Sequence, residues 1–140
     1  MNYKSEKEIL AVIEKFESCS IERGTWGHPE HLIVAYHYAS KNDFETALSK
    51  MRDGIFILLK SFKVDLTKEM PYHETLTVFW MRTIFEFAKD NSGFSVETIN
   101  KMIEKFDKNY PGEFYTHEHL FSEEARAKFV EPDVKRIPSC

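Results

Sequence analysis

The sequence predicts an all-α fold, a single-domain bundle of five or six helices over residues 1–140 with an extended tail from 131 to 140. Three observations predict it. Apolar residues recur at spacings of three and four through most of the 140 residues, and no stretch alternates as a half-buried strand does. Glycine and proline are scarce, five of each, and fall in a few clusters, which suits long elements with short connections. Hydrophobic residues make up 42% and aromatic residues 14%, enough for one packed core built largely from rings.

Taken in order, Ser5 followed by Glu8 is a capping-box pattern, and Ile9, Val12, Ile13 and Phe16 continue it at helical spacing toward Cys19. "SIERGTWG" is a loop. Pro29 then fits the first turn of a second helix, where its missing N–H costs nothing, and that helix stops near Lys41 and Asn42. The next connection is short, so the third helix is an antiparallel neighbour. Phe44, Leu48, Met51, Ile55, Leu58 and Phe62 give it one continuous apolar face. The loop "KVDLTKEMPY", punctuated by Pro71, leads to a fourth helix that is apolar on so many sides that it must be central. Ser95 opens a shorter amphipathic helix, "NYPGE" is a turn, and a last helix begins at Ser122.

Net charge is −4, and lysines and arginines alternate with carboxylates as in "SEKEILAVIEKFES". That is a solvated surface and not a basic stripe, which argues against nucleic acid as a partner. No stretch approaches a membrane span, and the first residues carry no basic-then-apolar signal. Cys19 and Cys140 are too isolated to form a disulfide framework. A cytoplasmic location is the expectation, with a small molecule as ligand.

Chemistry concentrates in the histidines. "TWGHPEHL" places His28 and His31 at the start of the second helix, and "PYHETLTVFW" places His73 at the start of the fourth. If the second and fourth helices run parallel, all three lie at one end of the bundle, with an axial offset of roughly 10 Å to be absorbed by the preceding loop. Three imidazoles with an open position are the pattern of a divalent metal centre, zinc or, with an added carboxylate, iron. His28, His31 and His73 are therefore the expected ligands, His73 and Arg52 the expected catalytic groups, and Tyr72, Thr77 and Trp80 the expected substrate contacts. A metal-dependent enzyme of small molecules would follow.

A catalytic His73 predicts that alanine there removes function without unfolding the chain. The same residues also fit a non-catalytic ligand-binding or protein-interaction module, with His28 as a cap and His73 as a hydrogen-bonded core residue. An enclosed pocket at the helix ends favours a small-molecule site, and an exposed apolar patch favours a protein partner. "THEHL" offers His117 and His119 as a chelating pair if extended, but no third ligand accompanies them, and a surface turn is the simpler expectation.

The order W-x-H-x-x-H-L (Trp26 to Leu32), Y-H-E-T-x-T-x-x-W (Tyr72 to Trp80), L-F-S-x-x-A (Leu120 to Ala125) and E-P-D (Glu131 to Asp133) resembles a family of small bacterial helical proteins of uncharacterised function. The resemblance covers most of the chain from Trp26 onward. It implies a bacterial-type source and directs attention to the same three histidines, but implies no reaction, cofactor or substrate.

Overall fold

The computed structural model describes residues 3–22, 24–63, 72–91 and 93–137. Residues 64–71, with the turn expected around Pro71, and Cys140 lie outside them, and Cys19 carries an exposed free thiol. The described residues form helices throughout and no strand. Five helices are long: α1 (Glu6–Glu17), α2 (His28–Lys41), α3 (Phe44–Ser61), α4 (Glu74–Asp90) and α5 (Val96–Lys105). A 3₁₀ turn (Tyr110–Glu113) and two short helices, α6 (His117–Leu120) and α7 (Glu123–Ala127), follow. Seven α-helices among the described residues thus replace the expected five or six, because "THEHL" coils into one turn instead of lying as a loop. Four residues show no period, so only the Thr116 cap could have announced it.

Caps explain where most helices start. Ser5, Asp43, Ser95, Thr116 and Ser122 each accept the backbone N–H three residues on, satisfying a donor that the helix cannot. At α2, Gly27 is the N-cap, and its N–H donates to Glu30 Oε1 at 2.9 Å.

The expected parallel arrangement of α2 and α4 is visible in their contacts. The His28 ring lies 4.8 Å from Trp80 near the start of α2. Farther along, the Tyr36 hydroxyl lies 2.6 Å from the carbonyls of both Asn91 and Gly93, beyond the end of α4. The offset persists as well. His28 sits beside Trp80, seven residues past His73, which is about 10 Å along a helix. α4 is central, with Thr75, Phe79, Met81 and Ile84 at 1% exposure or less. The core is continuous from Ile9 to Ile137.

The tail does not leave the body. Val134 N–H donates to the Phe114 carbonyl at 2.8 Å, and Asp133 receives both the N–H and the hydroxyl of Thr116, at 2.8 and 2.7 Å. One buried hydroxyl ties the preceding segment to α4. Thr75 Oγ1 donates to Lys128 O at 2.9 Å and accepts Val130 N–H at 3.2 Å. Thr75→Val keeps the shape and removes both bonds, leaving two backbone groups unpaired. A loss of about 1–2 kcal/mol in urea unfolding is expected.

Candidate functional site

A cleft of about 820 Å³ opens at the end of the bundle where α2 and α4 begin. α2 contributes His28 and His31, and the loop before it contributes Trp26. α4 and its approach contribute Tyr72, His73, Leu76, Thr77 and Trp80. The far wall comes from Lys108, Asn109, Pro111 and Gly112, and from Tyr115, Thr116, His117, Leu120 and Phe121. Six of the residues expected from sequence therefore share one cavity: His28, His31, His73, Tyr72, Thr77 and Trp80. Arg52 is not in its wall.

Local hydrogen bonding fixes what each histidine can do. His73 is the N-cap of α4, its Nδ1 accepting Leu76 N–H at 3.1 Å. Its Nε2–H donates to Leu120 O at 2.7 Å. Both ring nitrogens are committed, and they define one neutral tautomer. Burial holds its pKa below the ordinary 6.5 despite the favourable bond to Leu120. His28 donates Nε2–H to Phe106 O at 2.7 Å and keeps Nδ1. His31 differs from both. Its Nε2 is buried and has no hydrogen-bond partner among the described residues. Burial, reinforced by the neighbouring His28 imidazole, lowers its pKa to about 4.

These three rings do not offer three free nitrogens to one ion. His73 would have to abandon either its cap or Leu120, and His28 stands about two helical turns along from it. No group of three or more His, Cys, Asp or Glu among the described residues is placed to hold a metal ion. The zinc or iron expected from spacing would have to displace the His73 bonds and bridge the axial offset between α2 and α4.

Arg52 is spoken for in a comparable way. Its Nε and Nη2 make a two-pronged pair with Glu74 at 3.0 and 2.6 Å, and Tyr72 donates its hydroxyl to the same carboxylate at 2.5 Å. The guanidinium thus holds Glu74, and Glu74 holds Tyr72 against the cleft. Burial first, then the bond to Glu74, push the Tyr72 pKa up to about 12, so the phenol keeps its proton.

Sequence reading missed the far wall. Lys108, Asn109, Tyr115 and Phe121 fall in irregular chain, where no periodicity flags them, and Val134 belongs to the tail. His117, expected on a surface turn, lines the cleft beside Phe121, with ring centroids 4.7 Å apart. His119 turns away, stacking on Tyr115 and donating to Glu131 O at 2.8 Å.

The two depressed histidines set a pH dependence. Below pH 6.5 the unfolded chain takes up protons at His31 and His73 that the folded chain refuses. Their contribution to stability is thus complete above about 6.5 and lost as pH falls, for His31 toward about 4. Urea midpoints should drop between pH 7 and pH 4.5, and His31→Gln should flatten that slope. An unchanged slope in His31→Gln would show that His31 is not held neutral.

No helix among the described residues is long and apolar enough to cross a membrane. Comparison of the chain with family models, curated proteins and solved structures finds no match.

Proposed function

We propose that the chain binds a small, largely apolar molecule in the cleft between the starts of α2 and α4. The observation that carries this reading is the cleft itself: about 820 Å³, within the range of small-molecule sites, and walled by aromatic rings with a few polar groups among them. Apolar surface continues to its mouth, where Phe121 and Val134 are 41% and 54% exposed. A ligand seated there would cover surface that otherwise meets water. His31 and His73 then serve as neutral hydrogen-bonding groups, with Tyr72 as rigid wall. This favours binding over a reaction centred on His73, since both of its ring nitrogens are committed and Arg52 is paired with Glu74.

Intrinsic fluorescence tests the proposal directly. Trp26 and Trp80 are the chain's two tryptophans, and both line the cleft. A panel of small aromatic and alkyl compounds should include some that shift or quench the emission saturably. Gly112→Leu supplies the control, because Gly112 lines the cleft and a Cβ there meets nothing within 4 Å. The variant should fold normally and bind more weakly. If no compound gives a saturable response, or Gly112→Leu binds every hit as well as wild type, the cleft is not the site.

A further inference from the structure

We propose, resting on the cleft as a ligand site, that its ligand is an organic anion: an arylalkanoate-type carboxylate whose acid group meets Lys108 and whose apolar body lies against Trp80 and Phe121. The sign of the wall carries the inference. The chain has 23 acidic residues against 19 basic ones, yet among the described residues no carboxylate lines the cleft. The one charged side chain in its described wall is Lys108, set among aromatic rings and the neutral imidazoles of His31 and His73.

Acidic residues are not far away in sequence. Four of them are held by other partners. Glu30, between His28 and His31, receives Gly27 N–H and the Tyr3 hydroxyl. Glu74, next to His73, is held by Arg52 and Tyr72. Glu113, next to Gly112, faces Lys135 at 3.4 Å, and Asp107, next to Lys108, accepts Asn109 N–H at 2.8 Å. Lys108 itself makes no ion pair among the described residues. A cation unopposed at the mouth of an apolar cleft attracts anions more strongly than the same cation on an open surface, because low-dielectric walls focus its field. A cationic ligand would meet the same field as a barrier, and a neutral one would leave it unused.

Matched pairs test this: benzoate, 3-phenylpropionate and 4-phenylbutyrate against their neutral amides, titrated by calorimetry at low salt. The acids should bind about tenfold tighter than the amides, the effect of one charge-assisted hydrogen bond. Lys108→Met should remove the acids' advantage over the amides. Equal affinity of acid and amide in wild type, or a Lys108→Met variant that keeps the preference, overturns the anion assignment while leaving the cleft as a site. Absence of binding by every acid and amide, with no saturable hit in the wider fluorescence panel, removes the cleft reading itself.

Discussion

Replacing His73 with alanine is expected to destabilise the chain by about 2–4 kcal/mol, a fall of about 10 °C in Tm. Two losses add. Leu76 N–H loses its cap, worth about 1 kcal/mol. The Leu120 carbonyl loses its side-chain donor in a buried setting, which costs about 1–3 kcal/mol. The edge-on contact with Phe121, at 5.6 Å, goes with the ring. Asparagine separates the two contributions. It caps helices well and is too short for Leu120, so His73→Asn should recover about 1 kcal/mol and no more. Both variants belong in one urea series at pH 7. A His73→Ala protein as stable as wild type would return His73 to the catalytic role that its spacing suggests.

Gly54→Ala is the second large effect, and its sign opposes intuition. Alanine in mid-helix normally gains about 1 kcal/mol over glycine. Here a Cβ would lie 2.4 Å from two ring atoms of Phe16, so the close approach of α1 to α3 requires the missing side chain. Phe16 cannot simply swing aside. It is buried, stacked on Trp26 at 5.2 Å and set edge-on to Tyr38 at 6.4 Å. Overpacking of this kind costs about 1–3 kcal/mol, and more where the neighbour is pinned, which leaves a net loss of about 2 kcal/mol. Because Trp26 lines the cleft, its emission should also shift in Gly54→Ala. Phe16→Leu in the same chain makes room at the clash, so the double variant should lose less than the two single losses added. A stabilised Gly54→Ala would mean that α1 does not approach α3 so closely.

The sequence showed the long helices well, because each has a cap and a repeated apolar face. Ser5, Pro29, Asn42 and Ser95 all fall where helices start or stop. Bringing His28, His31 and His73 to one cavity required only the parallel pairing of α2 and α4, and that was legible from connection length. What the histidines do there was not. Whether a ring nitrogen is free depends on carbonyls of Phe106 and Leu120, 78 and 47 residues away, and no local pattern reports such partners. Arg52 shows the same gap. Beside an apolar face it reads as an anion holder or as a cation snorkelling to solvent, and its partner Glu74, on the next helix, is announced by neither. The far wall escaped notice because a 3₁₀ turn, a four-residue helix and a docked tail have no period to read.

The most direct test of the account is a map of backbone and indole N–H chemical shifts during titration with 3-phenylpropionate or the strongest hit from the fluorescence panel. The account predicts that the indole signals of Trp26 and Trp80 move together with the backbone signals of His31, Leu76, Tyr115 and His117. Shifts concentrated elsewhere, around Thr83 and Asn91 or on the exposed face at Leu10 and Ile57, with both indoles still, would contradict it.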